Sequence, residues 1–176
     1  MFGNIAHNVA EMSERNWSAV IATGEEPLKL LAEITAICLD EMDAYLLKGG
    51  ETDEDCLKYM NDISKMACAG ILGYRHIHEI DASKVANQMV DTYKRKNADY
   101  GDSFGASLDK YGPVAAHVRM SDKVNRLQSL VVRKQTAQVK DESIADTFLD
   151  LACYAIMRLV YIEMKLTELD EEKEEE

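Results

Sequence analysis

Four acidic and three basic side chains, divided between two segments, have the types and spacing for phosphoryl chemistry. Asp122 sits among Arg119, Lys123 and Arg126 in VAAHVRMSDKVNRLQSL, and Glu142, Asp146 and Asp150 recur at every fourth residue in DESIADTFLDLACYAIMRLVYI. On a helix the second spacing aligns three acids along one stripe. From Phe148 to Ile162 the only charged residues are Asp150 and Arg158. A helix so apolar on every side belongs in a core, and a carboxylate carried inside with it needs a compensating cation or metal.

Two arrangements meet that need. In the first, Arg119 and Arg126 reach across and neutralise Asp146 and Asp150 in a structural network, and Asp122 pairs with Arg126 four residues on. In the second, Asp122, Asp146 and Asp150 hold Mg²⁺, with Glu142 as a further ligand or as the base for an attacking water. Mg²⁺ takes carboxylate oxygens and leaves its other positions to water and phosphate. Arg119, Lys123 and Arg126 would then clamp the phosphates, and the metal would activate water. A third segment, KNADYGDSF, also has two readings. It is a helix end stopped by glycine, or a lid in which Asn97, Asp99 and Tyr100 touch a base or sugar while Gly101 lets the backbone come close.

The elements that must position these residues are helical. The first twenty-odd residues are polar and fit a short helix ending at TGEEP. Pro27 opens a helix with apolar residues at 30, 31, 34, 37, 38, 42, 45 and 46, and Gly49–Gly50 stops it. Thr52 and Asp55 form an acidic capping box for a helix over 53–72, which would turn Leu57, Met60, Ile63, Met66, Ala67 and Ile71 inward. A break at GYRHIHEID precedes a helix over 82–98, and DYGDSFGASLDKYG follows as a loop. Pro113 starts a helix to about Val132, and RKQTAQVKDE leads to the last helix, about 142–168. The expected fold is therefore all-α, a bundle of four to five main helices.

Composition narrows the function. With 176 residues the chain fits a single core, and its net charge of −12 argues against a nucleic-acid groove, which needs a basic face. No long apolar run or signal core is visible, so the expected location is the cytoplasm. Cys38, Cys56, Cys68 and Cys153 are scattered without a CxxC pair and read as buried free thiols. His76 and His78, two apart, face different ways on a helix, which disfavours a histidine metal site.

Three segments in order, KNADYGDSF (96–104), RMSDKVNRLQSL (119–130) and VKDESIADTFLDLACYAIM (139–157), resemble the phage and bacterial family called nucleotide modification associated domain 1. That family in turn resembles the all-α, MazG-like nucleoside triphosphate pyrophosphatases. The resemblance implies a helical bundle forming a homodimer or larger assembly in a bacterial or phage-infected cytosol. It implies Mg²⁺ as cofactor, and cleavage of (deoxy)nucleoside triphosphates to monophosphate and pyrophosphate, in nucleotide-pool control or base modification. Tyr154 stands like the tyrosine that ends the second acidic motif of those enzymes. With Asn97, Asp99 and Tyr100 it would border base and sugar. Two departures stand out: Asp122 is alone where two glutamates are expected, and Asp146-x-x-x-Asp150 replaces ExxD. A chain that binds nucleotides without hydrolysing them is the alternative. Residues 1–80 would be a helical extension packed on the bundle, 81–167 the core, and 168–176 an acidic, disordered tail.

Overall fold

A computed structural model describes residues 1–48, 53–137 and 142–174, though not the side chains of Lys48, Asp53, Tyr100, Asp170 and residues 172–174. The fold is all-α, with no strand among the described residues. Its elements are α1 (Phe2–Ala22), α2 (Pro27–Lys48), α3 (Asp53–His78), α4 (Ala82–Tyr100), α5 (Ser103–Tyr111), α6 (Val114–Leu127), a π-helical turn (Gln128–Val132) and α7 (Ile144–Glu174). The expected stops at Gly49–Gly50 and Thr52 lie outside the described residues, as do the last two residues of the acidic tail, whereas α7 carries the tail on as helix to Glu174.

The described residues hold seven α-helices where four to five were expected, for identifiable reasons. The polar N-terminus is a full helix of 21 residues. Its alternate faces are unequal: Phe2, Ala6, Val9, Ala10 and Ser13 are buried, at the three- and four-residue spacing of one helical stripe. The segment DYGDSFGASLDKYG, expected as a loop, holds the nine-residue α5. Asp102 caps it by accepting a hydrogen bond from the Gly105 N–H at 3.0 Å. Gly101 (φ +62°) and Gly112 (φ +69°) punctuate its two ends in a conformation that only glycine adopts cheaply. Leu57, expected inward, is 67% exposed. Tyr59, two residues on and so roughly opposite on the helix, takes the buried place instead.

The expected break at GYRHIHEID is confined to its last three residues, because α3 runs on to His78 and ends at Glu79 in a left-handed conformation (φ +53°). Gly70 and Gly73 lie inside it for packing. A Cβ on Gly73 would come within 2.5 Å of the Phe148 ring, and one on Gly70 within 2.6 Å of the Phe148 carbonyl oxygen. Their bare backbone lets α3 lie directly on α7, and these two helices make the most extensive contact in the molecule. Phe148, Leu151, Ala152, Ala155 and Ile156 of α7 are fully buried there, as the apolar run predicts. Residues from all seven helices except α5 enter the same hydrophobic cluster in bulk, and α5 contributes Leu108. Arg158, 8% exposed, lies over the rings of Tyr59 and Tyr161 at 5.7 and 5.6 Å.

Around this pair, α2 packs on α3, α6 packs on α7 and α2, and α1 packs on α4 and α3. His117 of α6 meets Asp43 of α2 at 2.6 Å, and Gln128 donates to the Ala32 carbonyl at 2.7 Å. By contrast, α4 touches α7 only sparsely. No described helix is long and apolar enough to cross a membrane.

The close approach makes a direct prediction. Gly73→Ala should lower stability by about 1–3 kcal/mol, the usual cost of overpacking a core. Adding Phe148→Leu to it should cost less than the two single changes summed. Denaturant unfolding of the four variants measures both; additive losses would mean that residues 73 and 148 do not collide.

Candidate functional site

Four helices enclose a cavity of about 470 Å³ on the side of the molecule where α4 stands off from α7. That lies within the range of about 300–1,000 Å³ common for small-molecule sites. Helix α4 contributes Thr92, Tyr93, Lys96 and Asn97, spaced so that they share one helical face. The capping turn brings Gly101 and Asp102, α5 brings Ser103, Phe104 and Ser107, and α6 brings Ala115 and Arg119. The floor is α7, through Asp150, Cys153, Tyr154 and Met157. The Phe104 and Tyr154 rings stand 6.1 Å apart and 25° from parallel. Two cationic groups, two acids and a pair of aromatic rings thus line one space.

What meets Asp150 is lysine, not arginine. Lys123 Nζ lies 3.0 Å from Asp150 Oδ2 and 2.8 Å from Glu142 Oε1, while Lys96 Nζ lies 3.8 Å from Asp150 Oδ1. The Asp150 side chain is 30% exposed at the cavity wall, so water shares in solvating it. Arg126 was expected to neutralise Asp146 or Asp150, or to pair with Asp122. Instead it donates to the Glu142 carbonyl oxygen at 2.6 Å and to the Thr147 hydroxyl at 3.1 Å, with Glu142 Oε2 at 3.8 Å. It therefore clips the approach to α7 rather than reaching the cavity. Arg119 is exposed and lines the cavity.

The stripe of three inward acids does not form, because α7 begins at Ile144 and Glu142 precedes it. Asp146 closes a capping box with Ser143. The Ser143 hydroxyl and N–H donate to Asp146 Oδ2 at 2.7 and 3.0 Å, and the Asp146 N–H donates back to the Ser143 hydroxyl at 3.0 Å. Asp122 is exposed on α6 and outside the cavity lining, as is Asp99 on α4. The Tyr100 side chain lies outside the described residues. Among the described residues no three His, Cys, Asp or Glu side chains converge as a metal would require.

Lys96 and Phe104 are cavity residues that sequence reasoning passed over, though both lie in KNADYGDSF. For Phe104 the missed signal was α5, expected as a loop; Lys96 already lay on the expected helix, on the face of Thr92, Tyr93 and Asn97. The extension of that helix to Tyr100 adds only Asp99 and Tyr100, and Asp99 falls off the shared face.

The electrostatics follow from these partners. Burial works against the Lys123 ammonium, but hydrogen bonds to Glu142 and Asp150 outweigh it and hold its pKa above the ordinary 10.5. The Lys123 hydrogen bond holds Glu142 below the ordinary 4.5. The Ser143 hydroxyl, then its N–H, hold Asp146 below 3.8. Burial pushes the Cys153 thiol up to about 12, so in the cavity wall it is an apolar neighbour and not a nucleophile.

A depressed carboxylate contributes stability that is full above its ordinary pKa and disappears as pH falls through the folded value. The raised Lys123 acts oppositely: its share is full below 10.5 and disappears as pH rises through its folded value. Thermal melts from about pH 2 to about pH 8 should show an acid-side decline that is shallower in both Glu142→Gln and Asp146→Asn. An acid limb unchanged by either substitution would contradict the pairing described.

Comparison with curated proteins and with solved structures gives no match. A family model does match, over residues 96–162. That span holds every cavity residue except Thr92 and Tyr93. The matched family is described as nucleotide modification associated domain 1, and residues 96–162 are the part of the chain that is similar to it.

Proposed function

We propose that the cavity binds a (deoxy)nucleoside phosphate. The observation that carries this reading is the presence, in one space, of the Phe104–Tyr154 ring pair with Lys96 and Arg119. Aromatic faces take a base by stacking, and a lysine with an arginine takes phosphate as a point charge and a fork. Asn97 and the hydroxyls of Ser103 and Ser107 supply donors and acceptors for sugar and base edges. The description of the matched family, nucleotide modification associated, agrees with such a ligand.

Mg²⁺-dependent hydrolysis to monophosphate and pyrophosphate is the second reading, favoured by one observation: Glu142 and Asp150 both face the Lys123 ammonium at the cavity edge. A divalent cation would suit two such acids. As arranged, however, the acids do not fit a resident metal. Lys123 fills the space between two of them, Ser143 engages Asp146, and Asp122 lies outside the cavity lining. Binding without hydrolysis is therefore the primary reading.

Equilibrium binding of the common nucleoside mono- and triphosphates, with and without Mg²⁺, tests both readings when pyrophosphate is assayed alongside. Lys96→Ala and Arg119→Ala should each weaken binding by about tenfold or more, the worth of a charged hydrogen bond. Phe104→Ala should do the same through the base. Absence of any nucleotide binding would reduce the lysine–acid network to a structural one. Pyrophosphate released only with Mg²⁺, and lost in Asp150→Asn, would establish the hydrolase.

A further inference from the structure

We propose that the ligand has two nucleotide units, the second occupying a separate cavity on the other side of α4. This rests on the nucleotide reading of the first cavity and extends it. The second cavity, about 660 Å³, is lined by Tyr74 of α3, by Gln88, Asp91, Lys94 and Arg95 of α4, and by Leu149, the neighbour of Asp150. Thr92 lines both cavities and is their common wall.

Residues 94–96 read Lys-Arg-Lys, a run of three positive charges in an acidic chain. The helix distributes them between the two spaces: Lys94 and Arg95 line the second cavity, and Lys96 lines the first. Arg95 Nη2 donates to Thr92 Oγ1 at 3.3 Å, which holds the guanidinium at the divide. A phosphate linking two nucleosides across that divide would meet Lys96 on one side and Arg95 on the other. Its charge is what this ridge is suited to neutralise.

The remaining lining selects a nucleoside over a bare polyphosphate tail. Asp91 is an anion in the second cavity, and Asp146 adds negative potential beside Tyr74. Both would repel a string of phosphates. An amino-bearing base edge, however, finds an acceptor in Asp91 and both a donor and an acceptor in Gln88. Tyr74 gives the base an aromatic neighbour, its ring 4.4 Å from that of His78. The ligand class is therefore a dinucleotide, with one base near Phe104 and Tyr154 and the other near Tyr74.

Titration calorimetry with the full chain decides it, using 5′-phosphorylated homodinucleotides of the four DNA bases against the matching mononucleotides. For at least one base the dinucleotide should bind about tenfold or more tightly than the mononucleotide, since a second stacked base and a bridging phosphate each add contacts. Lys94→Ala and Gln88→Ala, both at exposed positions, should bring the ratio of the two affinities toward one. Equal affinities for every base, or a ratio that neither substitution moves, would overturn the second unit while leaving the first cavity's reading standing. If neither length binds for any base, both readings fall together.

Discussion

The contact of α3 with α7 is the constraint on which the remaining geometry hangs. Two glycines one turn apart on α3 remove the side chains that would hold the helices apart, and Phe148 and Ala152 occupy the space they leave. Burying α7 this deeply removes most of its length from water. Its charged residues are then confined to the places where water or a partner can reach. Asp150 reaches the cavity, where two lysines await it, and Arg158 lies over tyrosine rings. The candidate site thus occurs where one face of this core helix reaches the surface.

The ion pairs at the head of α7 serve two purposes at once. Arg126, Thr147 and Ser143 fix where the helix starts, through the Glu142 carbonyl and the capping box. Lys123 then links the residue before that start to Asp150, two turns further along. Side chains with about 20–30% exposure of this kind are stabilised by each other more than by the screened attraction of surface pairs. Removing one member would leave its partners half-buried and uncompensated. A ligand bringing its own charges into the cavity would have to enter this balance.

Much of this was legible in the sequence, and the exceptions have physical causes. The apolar run from Phe148 to Ile162 announced a buried helix because nothing else can accommodate fifteen residues with two charges. Pro27 and Pro113 marked helix starts correctly to within a residue. Gly73 misled because a glycine that breaks a helix and one that admits a neighbouring helix are identical in one dimension; only the partner at Phe148 distinguishes them. The acids misled for a related reason. Spacing of four aligns residues only inside a helix, and Glu142 lies outside α7. Of the expected site residues, Arg119, Asn97, Asp150 and Tyr154 share the cavity, whereas Lys123, Arg126, Glu142 and Asp146 form its bracing. Which lysine or arginine meets which acid depends on helix rotation, which a pattern of charges does not encode.

The stacking of Phe2 on Tyr93, with ring centres 4.3 Å apart and planes 4° from parallel, has a further consequence. Tyr93 lines the cavity, yet it and Phe2 both lie outside the segment that the family model matches. Because α4 has little grip on α7, its position is governed from behind, by α1. The width of the cavity is then a property of the first helix as much as of the recognisable domain. Chains sharing the 96–162 pattern but lacking an equivalent of α1 would hold the same residues around a differently shaped space. The matched segment supplies most of the cavity's lining, and the helix in front of it sets the aperture.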